Sequence, residues 1–166
     1  MSVAKNVDIF MKLDSIKGES KDEKHKGEID VFAYHLKVDQ EGTRHVGGGG
    51  GAGKATFDDL TITCQVDTST TDLFQCCAAG KHITQGVLTL RKAGDKPLEF
   101  FVATLIDIIV SSVEFHAPNS DEPRHLVDVK LNYAKIKLKY YPQADSGAAG
   151  VPTEGGWDIA ANKAER

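Results

Sequence analysis

Cysteine is scarce in this chain: there are three, Cys64, Cys76 and Cys77, and no pair is spaced C-x-x-C. That pattern excludes a disulfide framework and offers no zinc-type ligand spacing, so reduced, packed thiols are expected. Long apolar runs are absent too. The longest, Phe100 to Val110, is broken by Thr104 and Asp107 and falls short of the roughly 18 residues a membrane-spanning helix needs, so no membrane insertion is expected. The N-terminus, MSVAKNVDIF, lacks the apolar stretch of a secretory signal peptide. The chain is therefore expected to be cytoplasmic when made, and to leave the cell only by a route that reads no such signal. Excess positive charge is missing: the net charge is -4 and the pI is near 5.8, which argues against a nucleic-acid surface.

What is present suits one globular domain. The 166 residues are 40% hydrophobic and 27% charged, enough for a sizeable core. Val7, Ile9, Met11 and Leu13 alternate with polar residues and predict a half-buried strand. The following DSIKGESKDEKHKG is polar and is expected to be a solvated loop. Ile29 to Val38 reads as a strand whose apolar parity shifts, which signals a bulge or burial on both faces. Leu60 to Val66 alternates cleanly. Asp67-Thr68-Ser69 predicts a helix start, with Leu73, Phe74, Cys77 and Ala78 as its apolar stripe and Gly80 as its stop.

Val87 to Lys92, Leu98 to Phe115 and Leu126 to Tyr141 read as further strands. The second is long enough to be bent or split, and the third switches parity between Tyr133 and Ile136, which predicts a bulge. The expected fold is mainly antiparallel β, seven or eight strands closed as a barrel or compact sandwich, with one helix. The core domain is placed at residues 1–142. A tail at 143–166 is expected to dock in part through Trp157 and Ile159.

The stretch HVGGGGGAGKATFDDLTITC places five glycines at Gly47 to Gly51 ahead of Gly53-Lys54. From Gly48 it reads G-x-x-x-x-G-K, one residue short of a phosphate-binding loop. That loop needs a Ser or Thr after the lysine to hold magnesium, and a helix whose N-terminus faces the anion. Here Ala55 follows Lys54, and the next residues read as a strand. A nucleotide site is rejected on both counts. The glycines are instead expected to let backbone approach backbone.

No other constellation carries chemistry. The six histidines, His25, His35, His45, His82, His116 and His125, are expected on the surface. Asp58 and Asp59 are adjacent, so on a strand they face opposite ways. Ser111-Ser112 has no nucleophile elbow around it, and Glu19, Asp22 and Glu23 sit among lysines. No catalytic set and no cofactor are expected. Strands apolar on both faces, with one helix to cover them, favour association with other chains. A monomeric β-barrel that binds a small ligand is the alternative.

Taken in order, several segments resemble the Hcp family, the haemolysin-coregulated tube proteins of bacterial type VI secretion. They are DIFMKLDSIKGESKD (8–22), GEIDVFAYH (27–35), the glycine run through AAGKHI (45–83), LRKAG (90–94), IVSSVEF (109–115), VKLNYAKIKLKYYPQ (129–143) and GWDI (156–159). The resemblance implies a compact β-barrel of two packed sheets with a helix on its side. It implies homo-hexameric rings that stack into a tube, a VgrG-type spike at the tip, contractile sheath proteins around it, and effector proteins held in the lumen. No enzymatic activity is implied. By the same resemblance, Arg44, His45, Gly48, Gly49, Gly50 and Gly51 become candidates for contacts between stacked rings, and His35 becomes a candidate for the lumen wall.

Overall fold

The computed structural model describes residues 6–42, 53–121 and 123–165. The elements run β1 (Val7–Leu13), β2 (Ile29–His35), β3 (Val38–Asp39), β4 (Thr56–Phe57), β5 (Leu60–Gln65), α1 (Ser69–Ala79), β6 (His82–Lys92), β7 (Leu98–His116), β8 (Leu126–Tyr140), β9 (Thr153–Asp158) and β10 (Lys163–Ala164). The order β8-β5-β2-β1-β6-β7 closes on itself because β7 also pairs with β8. Six antiparallel strands thus form a barrel, and closure leaves none of them with a bare edge. Strands β9 and β10 continue the sheet outward from β8.

Period-two burial explains the barrel's interior. Met11, Leu13, Ile29, Val31, Leu60, Ile62, Cys64, Leu88, Leu105, Ile108, Val127, Val129 and Leu131 all turn inward and are buried. Each such aliphatic side chain contributes about 1.5–3 kcal/mol by leaving water. Gly86 on β6 sits at their centre, where a Cβ would lie 2.8 Å from both Leu13 Cδ2 and Met11 Cε and would make those side-chain ends shift.

The long strands serve two neighbourhoods at once. β8 pairs with β5 over 126–131 and with β9 over 135–140, while pairing with β7 nearly throughout. β7 is one 19-residue strand, and within it Asp107 has a φ of 55°, in the left-handed region. An aspartate tolerates that conformation better than the β-branched residues around it. The sequence-based bulge between Tyr133 and Ile136 is not there. One β7–β8 register holds from Val102–Lys139 to Val110–Leu131, and the shift falls in β7 between Val110 and Ser112. The parity switch in β8 instead marks where its outer neighbour changes from β5 to β9. The bulge expected in the second strand is present, between Val31 and Ala33.

Helix α1 begins where Asp67 accepts the Ser69 N–H at 2.8 Å, and Thr70 Oγ1 accepts the Asp67 N–H at 3.0 Å. It stops at Gly80, φ 63°, as glycine permits. Its buried face differs from the predicted stripe. Ser69, Thr70, Leu73 and Cys76 are buried against the barrel, while Phe74 is 56% exposed and Ala78 is exposed. Small polar residues made the first turn look solvent-facing, but Asp67 satisfies Ser69 locally and lets that turn pack.

The segment from Asp14 to Glu28 corrects the expectation of a solvated loop. Backbone bonds tie it into a strap: Gly18 N–H to Gly27 O at 2.8 Å, Ser20 N–H to Glu28 O at 3.0 Å, and Gly27 N–H to Ser20 O at 2.9 Å. Ser20 and His25 are buried under it, so His25 is not the surface histidine expected. The charged residues conceal this in the sequence because their partners lie far away in the chain. Arg91 of β6 donates to Asp22 at 3.0 and 2.5 Å and to Asp8 of β1 at 3.1 Å.

Candidate assembly surfaces

The glycine-run segment leaves and re-enters through a short ladder. Val38 of β3 pairs with Phe57 of β4, Asp39 pairs with Thr56, and the Asp58 N–H donates to Lys37 O at 3.0 Å. Arg44, His45 and Gly48 to Gly51 lie outside the described residues. Lys54 is exposed and leads into β4 and β5, and α1 starts only at Ser69. No helix N-terminus therefore follows Gly53-Lys54 among the described residues, as a phosphate loop would require.

His35 ends β2, exposed and opposite Thr61 of β5. It lines a shallow depression with Asp58, Asp59, Thr61 and Lys130. The two aspartates act as pins at the start of β5. Asp59 accepts Ser111 Oγ at 2.5 Å and Asn132 Nδ2 at 2.8 Å, while the Asp58 carbonyl accepts the Tyr133 hydroxyl at 2.9 Å. Burial pushes that phenol up to about 12. Next along the sheet, Asp128 accepts Thr63 Oγ1 at 2.6 Å and pairs with His116 at 3.0 Å. This outer face is thus dense in hydroxyls and amides that are already engaged.

Beside it, Phe32, Tyr34 and Val38 are 36%, 39% and 57% exposed. The bulge between Val31 and Ala33 resets the parity of β2, so that Tyr34 pairs with Ile62 and His35 with Thr61. Around the barrel, the β8–β9 flank carries paired charges instead: Lys139–Glu154 at 2.9 Å, and Lys135 at 3.4 Å from both Asp158 and Glu165. Gly156 sits between them because a Cβ would lie 2.8 Å from Glu165 O and 2.9 Å from Ile136 O. Trp157 and Ile159 pack against the core edge.

All three thiols are free, and burial pushes Cys64 up to about 12, far from a reactive thiolate. Among the described residues, no group of three or more His, Cys, Asp or Glu is arranged to hold a metal. No described helix is long and apolar enough to cross a membrane.

Comparison with known proteins gives the frame for these surfaces. The family described as "Type VI secretion system effector, Hcp" matches residues 10–140. The chain belongs to the Hcp family. It is 44% identical over 158 residues to the protein hcp1 of Pseudomonas aeruginosa, covering 94% of this chain and 97% of that one. Its fold matches the crystal structure of Hcp1 from Salmonella typhimurium with a TM-score of 0.81 at 36% identity, covering 96% of this chain and 99% of that one. A structure described as a type six secretion system protein matches with a TM-score of 0.88 at 28% identity, covering 95% and 99%. The Hcp barrel expected from the sequence is therefore the fold of this chain. The strap, Arg91 and the buried His25 are parts of it that sequence reasoning missed. The one signal for them was a charged residue, Arg91, next to the apolar Leu88 and Leu90 of β6.

Proposed function

We propose that this chain is the structural subunit of a type VI secretion tube: six copies form a ring, and rings stack head to tail. The observation that carries the reading is a closed barrel that still leaves Tyr34 and Val38 exposed beside the base of the glycine-run segment. A barrel with no bare central edge associates through side-chain surfaces, and a head-to-tail contact closes into a ring when its rotation closes. Residues 44–51 then mediate contacts between rings, and His35 faces the lumen, where effector proteins are carried and stabilised. A VgrG-type spike and a contractile sheath are the other partners. The work of ejection comes from the sheath, so the subunit needs neither cofactor nor catalytic group, and the protein leaves the cell through the system it builds.

The test is the size and shape of the purified protein. Light scattering is expected to give a species near six times 18.0 kDa, and negative-stain images are expected to show rings with an open centre. A stable species at the monomer mass would overturn the reading in favour of a small ligand-binding barrel.

A further inference from the structure

The contacts of His25 differ from those of the other described histidines. Its Nδ1 bonds Glu28, its Nε2 lies 2.6 Å from Glu99 Oε1 of β7, and its ring stacks on Phe10 of β1 at 4.2 Å and 9°. Both ring nitrogens therefore face carboxylate oxygens. An ionised carboxylate only accepts, and a neutral imidazole has one N–H and one lone pair. A neutral ring can satisfy one glutamate only, and sets its lone pair against the other. A charged ring donates to both.

The two glutamates are not equivalent. Glu28 is 12% exposed and closes the strap, whereas Glu99 is 40% exposed and can turn to water. Glu99 also stands opposite Arg91 in the β6–β7 register. Arg91 lies 5.0 Å over the Phe10 ring, and its two NH groups hold Asp22 and Asp8. Its Nε is buried with no hydrogen-bond partner, which is costly for a charged donor. A second donor for Glu99, the Arg91 Nε–H, thus stands one strand away.

We propose that His25 and Arg91 make a two-position latch for Glu99, thrown by one proton on His25. With the ring charged, Glu99 is held by His25 and the strap is tied to β7. When the ring loses its second proton, Glu28 keeps the remaining N–H, and Glu99 moves toward the Nε of Arg91 on β6. The strap then loses its tie to β7. The charged groups facing the switch are Glu28 and Asp22 of the strap, Glu99 of β7, Arg91 of β6 and Asp8 of β1. The strap-tied state belongs to the acid side of the ring's titration and is lost as pH rises through it. The strap also touches the start of α1, where Glu19 accepts the Thr68 N–H at 3.2 Å, so the latch sets how firmly that helix end is held.

The experiment is amide hydrogen exchange on the intact protein, with ring-nitrogen NMR of His25. Protection of the Gly18, Ser20 and Gly27 amides, corrected for intrinsic rates, is expected to fall several-fold between about pH 5.5 and 8, where histidines exchange protons. The fall should track loss of the second ring proton. Glu99→Gln should flatten the profile, because an amide can donate to the neutral ring or accept from the charged one. Wild-type protection that ignores pH, or a profile that Glu99→Gln leaves unchanged, would overturn the proposal. If Glu99→Gln does not fold, the wild-type ring nitrogens decide: a titration in step with strap protection supports the latch, and one out of step sinks it.

Discussion

Arg91 and Asp22 stand 69 residues apart in the chain and meet as a two-point ion pair, at 3.0 and 2.5 Å. The guanidinium holds the Asp22 carboxyl at about 2, below its ordinary value of 3.8. The sign follows: a depressed carboxylate contributes stability that is complete above the unfolded value and is lost as pH falls through the folded one. Asp22→Asn should cost on the order of 1–2 kcal/mol near neutral pH, after allowing for partial exposure. That difference between variant and wild type should shrink from pH 3.8 downward and vanish near pH 2. Urea midpoints of both proteins across that range check it.

Gly18 faces the backbone of Glu28 and Ile29, and a Cβ there would meet the Glu28 carbonyl and come within 2.8 Å of Ile29 Cα. Backbone cannot step aside as a flexible side chain can. Gly18→Val is expected to lift the strap off the barrel while the barrel itself stays closed. Exchange should become fast at Ser20 and Gly27 and remain slow at Leu105 and Ile108.

Leu73 is the fully buried apolar residue of α1. Leu73→Ala should cost about 2–5 kcal/mol through lost transfer energy and the cavity left behind. Phe74→Ala, one position on but 56% exposed, should cost well under half as much in the monomer. Thermal denaturation of the two variants side by side distinguishes the buried stripe found here from the one predicted.

Residues 44–51 are proposed to act between rings and not within them. Replacing Gly48 and Gly50 by bulky residues should leave the ring intact and block stacking. Light scattering should still report the ring mass, and electron micrographs should show separate rings where wild type gives tubes. Normal tubes from the variant would refute the assignment.

Much of the barrel is legible in the order of residues alone. The alternation of Val7 to Leu13 and of Leu60 to Cys64, and the Gly80 stop, are local properties, because side-chain direction has a period of two in a strand and glycine accepts the left-handed turn. The missing Ser or Thr after Lys54 is equally plain. The strap is not legible. DSIKGESKDEKHKG has the composition of a solvated loop, and its partners, Arg91 and Glu99, come from β6 and β7.

The parity switch in β8 shows the same division. Its presence is written in the order of residues from Tyr133 to Ile136. Its meaning, an exchange of outer neighbours and not a bulge, depends on which strand lies alongside. By itself the sequence determined the six barrel strands, the helix stop and the Hcp resemblance, since each rests on residues close together in the chain, whereas β9 and β10 were read as a tail. Only tertiary structure decided which charges are buried and which apolar side chains stay bare. Those depend on pairings across tens of residues, where the energy of a charge or a phenyl ring is set by what lies against it.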